Sequence, residues 1–275
     1  MAFNYTIKLR RIGPIAVLTL NHPPVNALSH VVRCALFDCI SELQNDVAIH
    51  AIVLHGAGRG FSAGGDRREF GTTAAAAAPG LSSDLHPAIE RSRPPVIAAL
   101  HGFAMGGGLE TALACHYRIA TAGTRLKFPE TGIGLIPLSG TQRLPRVLGP
   151  QETFAAIVDG REYTAGELAH TGLFDSVVAD ADESLVDRAV ELAHLKLQSR
   201  SHALIRDRPV AGTGWTRAID DAKVRTAASS YGAAARAAVE AIGFAVVAPD
   251  FETGLARARE LYDQLAARSN TAASP

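Results

Sequence analysis

The residues best placed to do chemistry lie in two glycine-rich segments, Ala63-Gly64-Gly65-Asp66 and Gly106-Gly107-Gly108. Each follows an apolar run, and the second opens a helical stretch from Leu109 to Ala114. A glycine-rich turn at a helix N-terminus presents N–H groups that no helical carbonyl accepts, backed by the positive end of the helix dipole. Such groups stabilise an anion, either a phosphate or an oxyanion that develops during a reaction. The second segment has neither the Lys-Ser/Thr of a phosphate-binding loop nor the spaced glycines of a dinucleotide fingerprint. A tight strand-to-helix turn with no ligand is a further reading of the same residues.

Two carboxylates accompany the glycines. Glu110 falls in the first turn of the helix, and Glu130 follows Phe128-Pro129 twenty residues later. Pro129 disfavours helix in the residue before it, which puts Glu130 in a loop or turn. Brought together beside an oxyanion hole, the two would form an acid/base pair, one activating water and the other, kept protonated by burial and its partner's charge, delivering a proton. A Glu in a first helical turn is also ordinary compensation of the helix dipole.

The elements that position these groups read as follows. Ile15–Leu20, Ala51–His55 and Val96–Leu100 are short apolar runs closed by turn residues and predict buried strands. Ser29 stands where it would cap a helix whose apolar positions are Val32, Leu36, Ile40 and Leu43. Strands alternate with helices at intervals of about thirty to forty residues, which predicts an α/β class. The stretch from Thr72 to Ser83 is uncharged and rich in Ala, and reads as a mobile loop or a short polyalanine helix. From Gln151 onward the pattern is helical, with amphipathic stretches at Gly166–Ala169, Leu185–Ala193 and Phe251–Ala267. The expected division is a core over 1–200 and a helical region over 201–275, ending in a disordered tail from Ser269 to Pro275.

Composition narrows the function classes. Apolar residues make up 47% of 275 positions, enough for a sizeable core. Lys plus Arg equals Asp plus Glu, 27 each, which argues against a nucleic-acid binder driven by phosphate neutralisation. Cys34, Cys39 and Cys115 match no disulfide or zinc spacing and read as reduced, buried thiols. The N-terminus lacks the pattern of a signal peptide, and no apolar run approaches membrane-spanning length. The expectation is a cytoplasmic protein without a membrane partner.

At this point the chain resembles a known family. Pro95 to Cys115, read through His101-Gly102-Phe103-Ala104-Met105-Gly106-Gly107-Gly108-Leu109-Glu110, looks like the central signature of the crotonase (enoyl-CoA hydratase/isomerase) superfamily. Phe61-Ser62-Ala63-Gly64-Gly65-Asp66 resembles its first oxyanion segment; Pro129-Glu130, Gly134 to Pro137 and Gly140-Thr141-Gln142-Arg143-Leu144 resemble the segment that follows. The order and spacing hold over about residues 10 to 180. Pro23 to Ser29, Cys115 to Ala120 and Gly254 to Leu261 look in addition like the hydratase/isomerase half of peroxisomal-type multifunctional β-oxidation enzymes, without a dehydrogenase half.

The resemblance implies a crotonase-like spiral of ββα repeats with a C-terminal helical region. It implies that Gly65 and Gly107 are backbone donors to a thioester oxyanion, and that Glu110 and Glu130 are the two catalytic glutamates. It also implies that Ala63, Gly64, Asp66, Met105 and Gly106 contact an acyl-CoA, and that Met105 and the Thr72–Ser83 stretch border the acyl group. His116 and Arg143 take structural roles. No metal and no cofactor beyond the substrate's own coenzyme A is expected, and the chain is expected to form a homo-oligomer, trimer or hexamer. Two departures stand out. Ile136-Pro137-Leu138-Ser139-Gly140-Thr141-Gln142 is one residue shorter than the family's usual loop, and Gly65 stands where Ala is common. The implied reaction is hydration of a trans-2-enoyl-CoA; the alternatives are Δ3–Δ2 enoyl-CoA isomerisation or acyl-CoA binding with little catalysis.

Overall fold

The structure, a computed structural model, describes residues 5–179, 185–198, 202–227 and 232–272. The strands are β1 (Ile7–Ile12), β2 (Ile15–Leu20), β3 (Ala51–Gly56), β4 (Val96–Leu100), β5 (Phe103–Met105), β6 (Tyr117–Thr121), β7 (Arg125–Lys127), β8 (Tyr163–Thr164) and β9 (Ser176–Val178). The helices are α1 (His30–Leu43), α2 (Thr73–Ala76), α3 (His86–Glu90), α4 (Gly107–Ala114) and α5 (Gly140–Arg143). They continue with α6 (Pro150–Ile157), α7 (Leu185–Lys196), α8 (Trp215–Thr226), α9 (Ala233–Val247) and α10 (Phe251–Ala272). The chain divides into two compact units, Met1–Leu126 with Thr164–Leu204, and Lys127–Tyr163 with Ile205–Pro275. The expected boundary at 200/201 lies outside the described residues.

The first unit is built on a six-stranded sheet in the order β1-β2-β3-β4-β6-β9. β1 and β2 form an antiparallel hairpin, and every later neighbour is parallel. Parallel strands are covered on both faces, so they read as continuous apolar runs rather than alternating ones. β2, β3 and β4 are apolar runs of this kind. One face carries Ile15, Val17, Ala51, Val53, Ile97, Ala99 and Ile119, which pack with Leu185, Ala189, Val190 and Ala193 of α7. Full burial of an Ile or Val side chain is worth about 1.5–3 kcal/mol, so this face is a principal source of the unit's stability.

A second, smaller set of pairings gives the spiral. β5, β7 and β8 form a three-stranded sheet, and the same layer holds bridges between Leu28 and Gly65 and between Ser62 and Ala104. Each turn of chain therefore runs from a large-sheet strand, through a short paired segment, into a helix. The turns are β2, Leu28, α1; then β3, Ser62–Gly65, α3; then β4, β5, α4. The repeat is structural, and irregular spacing hides it in the sequence.

The second unit is helical. α9 buries Ala234, Ala235, Ala237, Ala238 and Ala241, whose small side chains let neighbouring helices approach closely. Gln142 at the end of the shortened loop donates through Nε2 to the Ala241 carbonyl at 2.8 Å.

Several local expectations are corrected. Gly166–Ala169 is a run of turns, not a helix: Ala165 N–H and Gly166 N–H donate to Thr124 and Ala122 carbonyls, and Glu167 accepts from Thr164 N–H. Ser29 precedes α1 but makes no side-chain cap. The carboxylate of Glu69 takes that place, accepting His30 N–H at 2.9 and 3.0 Å. The helix expected to stop at Ala267 runs to Ala272, so Ser269–Ala272 are helical rather than tail. Residues 273–275 lie outside the described residues. Cys34 and Cys39 are half-buried, and only Cys115 is buried.

Candidate active site

The two glycine segments meet in the first unit. Gly64 has φ +87°, and a methyl built on it would stand 2.6 Å from the Met105 carbonyl oxygen and 2.8 Å from the Gly107 nitrogen. Only a residue without Cβ adopts this conformation and permits so close an approach of two backbones. A methyl built on Gly107 would stand 3.5 Å from the Gly65 nitrogen. Gly106 precedes α4 with φ +49° and ψ −128°, a combination essentially restricted to glycine, and Gly107 is the first residue of α4. The Gly107 N–H therefore has no acceptor within the helix and lies at the positive end of its dipole.

Polar side chains absent from the expected site hold this approach in place. Asn26 is buried with φ +51°, and its Nδ2 lies within hydrogen-bond distance of the Ala57, Gly60 and Phe61 carbonyls at 2.9, 2.9 and 3.2 Å. Its Oδ1 accepts His22 N–H at 3.0 Å. The Ser62 hydroxyl donates to the Asn26 carbonyl at 2.7 Å and accepts Gly64 N–H at 3.1 Å. Ala63 N–H donates to Val25, Leu28 N–H to Gly64, and Met105 N–H to Ser62. The sequence carried one signal for Asn26: a short amide is among the few side chains that tolerate a left-handed backbone.

Apolar side chains border the two glycines. Leu81 Cδ2 lies 2.6 Å from the point a Gly107 methyl would occupy, and the Phe70 ring lies 3.3 Å from the corresponding point on Gly65. Phe70 is nearly half exposed, at 45%. Met105 and Ala63 are half-buried beside them.

Charge is arranged as follows. Glu110 is buried in the first turn of α4, its N–H donating to the Gly106 carbonyl at 3.0 Å. Asp66 is buried and gripped by Arg68 at 2.9 and 2.6 Å, and this pairing holds its carboxyl below the usual range. Glu130 belongs to the second unit and opens a 3-10 turn, Glu130–Ile133, as Pro129 led one to expect. Its carbonyl accepts Leu135 N–H at 2.9 Å. The shortened loop is a buried turn in that unit: Ile136, Leu138, Ser139 and Thr141 are buried, and Thr141 N–H donates to the Pro137 carbonyl. His116 Nδ1 accepts Val96 N–H at 3.1 Å, and Arg143 lies over the Phe251 ring at 4.9 Å. Among the described residues no three His, Cys, Asp or Glu side chains converge as a metal group, and no helix is long and apolar enough to cross a membrane.

Comparison with known proteins gives the context for this geometry. Residues 11–207 match the family described as enoyl-CoA hydratase/isomerase. A "Probable enoyl-CoA hydratase" of Bacillus subtilis (strain 168) is 39% identical over 184 residues, covering 65% of this chain and 71% of that protein. A "Peroxisomal bifunctional enzyme" of Cavia porcellus is 38% identical over 208 residues, 74% of this chain but 28% of that longer protein. Among solved structures, an enoyl-CoA hydratase from Bacillus anthracis superposes with TM-score 0.64 at 28% identity, covering 94% of this chain and 90% of that one. The α/β spiral with its C-terminal helices is the crotonase fold, and the chain belongs to the enoyl-CoA hydratase/isomerase family.

Proposed function

We propose that the protein is an enoyl-CoA hydratase that adds water across the C2=C3 bond of a trans-2-enoyl-CoA. The observation that carries this reading is the packing of the Gly64-Gly65 backbone against Gly107 at the start of α4, with Glu110 buried three residues further on. In this reading Gly65 and Gly107 N–H groups receive the charge that develops on the thioester oxygen. Donors fixed in place before the reaction need no reorganisation, and losing one typically costs about 3–4 kcal/mol of barrier. Water oriented by Glu110 and Glu130 loses a proton and adds at C3, and a proton is delivered to C2, so that the product is a 3-hydroxyacyl-CoA. Glu130, carried by the second unit, takes its role from the resemblance of Phe128-Pro129-Glu130 to the family's motif. Ala63, Gly64, Asp66, Met105 and Gly106 are assigned to substrate contact, with the acyl-CoA as partner. No metal or redox cofactor enters this reaction. The family's fold also motivates a homo-oligomer, trimer or hexamer; the mass in solution by light scattering tests the oligomer.

Isomerisation of a 3-enoyl-CoA passes through the same enolate and needs only one proton shuttle, so the two chemistries are separated by which glutamate matters. The test follows loss of conjugated thioester absorbance with crotonyl-CoA and longer substrates, for the natural protein, Glu110→Ala and Glu130→Ala. Hydration requires turnover that falls by about 10²–10⁴ in both variants, the range for a positioned acid or base. Turnover of a 3-enoyl-CoA that survives Glu110→Ala but not Glu130→Ala would instead establish the isomerase. Acyl-CoA binding with no turnover at any chain length would leave a binding protein.

A further inference from the structure

The segment from Thr72 to Ser83 is poor in side chains that could anchor it. Its own secondary structure is one four-residue helix and the start of a wide π turn at Leu81–Leu85. It is nonetheless tied down, and the ties come from α1. Arg33, 6% exposed, donates from Nε to the Pro79 carbonyl at 2.9 Å and from Nη2 to the Ala74 carbonyl at 2.9 Å and Ala77 at 3.4 Å. Its Nη1 donates to the Leu28 carbonyl at 3.1 Å and meets Glu69 at 3.4 Å. One turn earlier on α1, His30 Nε2 lies 2.8 Å from the Ala78 carbonyl oxygen, and His30 N–H donates to the same Glu69 carboxylate.

We infer that Arg33 is a positioning residue that sets acyl-chain preference, by holding the stretch from Ala74 to Pro79, which Phe70 and Leu81 flank on either side where they stand beside Gly65 and Gly107. The inference rests on the thioester reading of those glycines. If the thioester carbonyl sits on their N–H groups, the acyl chain starts there, and Phe70 and Leu81 are apolar surface within its reach. Both side chains sit at the margins of the tethered stretch, so its order fixes how far they can yield. A guanidinium has five N–H donors in a fixed plane, and these are spread over carbonyls at four positions and a carboxylate; an ammonium has three on one point and cannot span them.

The test uses Arg33→Lys, which keeps the charge, and Leu81→Ala, which alters the wall without touching the clamp. In Arg33→Lys, hydrogen exchange of amides 72–78 and 80 should accelerate by about tenfold or more, the factor for losing one hydrogen bond to a charged donor, while amides of β3 are unchanged. The ratio of kcat/KM for crotonyl-CoA to that for trans-2-decenoyl-CoA should shift by a similar factor, through KM rather than kcat. Leu81→Ala should shift the same ratio with exchange over 72–78 and 80 unchanged; if Arg33→Lys does not fold, Arg33→Gln, which breaks the clamp without leaving a buried charge, carries the same exchange and ratio measurements. Unaltered exchange over 72–78 and 80 in Arg33→Lys, or equal losses at both chain lengths, overturns the inference. If the natural protein turns over neither substrate, the hydration reading fails by itself. The ratio of butanoyl-CoA to decanoyl-CoA affinities by calorimetry then takes the place of kcat/KM: a shift in Arg33→Lys supports the inference, while an unchanged ratio, or no binding of either thioester, overturns it.

Discussion

Replacing Gly64 by Ala is the sharpest test of the glycine junction, because the new methyl meets backbone on two sides. It would lie 2.6 Å from the Met105 oxygen and 2.8 Å from the Gly107 nitrogen, and neither can swing aside as a side chain could. A left-handed φ of +87° adds about 1–2 kcal/mol for a residue with Cβ. Overpacking adds about 1–3 kcal/mol more. The sum is about 2–5 kcal/mol, a fall in melting temperature of about 5–15 °C for a chain of this size. The relief route, moving Met105–Gly107 away from Gly64, displaces one of the two proposed donors, so kcat should fall by about 10²–10³. Gly58→Ala is the matched control: its φ is +73°, but a methyl there has nothing within 4 Å, so it bears the backbone strain alone. Calorimetry and turnover of crotonyl-CoA are measured on both variants at a temperature where each remains folded. A loss of kcat in Gly64→Ala no greater than in Gly58→Ala would refute the claim that the junction aims the donors.

Two further outcomes follow from the same structure. Asn26→Ala leaves the Ala57, Gly60 and Phe61 carbonyls without their shared donor and puts a methyl-bearing residue at φ +51°, so chemical denaturation should report a loss of about 2–4 kcal/mol. His116 and His55 are both pushed down to about 4, chiefly by burial. The unfolded chain therefore binds more protons than the folded one between pH 6.5 and 4, so stability should fall as pH drops through that window and level off below it. The slope is at most about 1.4 kcal/mol per pH unit for each histidine. His116→Asn, whose Oδ1 still accepts Val96 N–H, should flatten the dependence of the urea midpoint on pH.

The parallel strands were legible because burial on both faces writes an unbroken apolar run, as in Ile15–Leu20 and Val96–Leu100. β1 was not, since its burial alternates irregularly over Ile7–Ile12 and it looks like surface. β5, β7 and β9 are three residues each, too short to set up any period. Gly166–Ala169 misled because four residues of favourable composition fit a helix, while carbonyls on Ala122 and Thr124, distant in sequence, had already claimed the backbone. The Thr72–Ser83 stretch misled in the opposite sense. Its own composition gives nothing to hold it, and the holding groups sit some forty residues upstream on α1, in Arg33 and His30.

That last case bears on how such a site is encoded. The proposed oxyanion donors are backbone N–H groups, which every residue but proline possesses, so the chemistry itself leaves almost no mark at Gly65 or Gly107 beyond permission for close approach. What distinguishes this backbone from any other is where it is held. Asn26, Ser62 and Arg33 spend their hydrogen bonds mostly on main-chain atoms, and none of them is itself a candidate acid, base or nucleophile. Arg33 and Asn26 are buried, so each lost contact exposes a carbonyl that cannot turn to water. Substitutions at these three positions should therefore lower kcat/KM more than substitution of the exposed Arg68 that grips Asp66, even though Arg68 pairs with a residue assigned to the substrate.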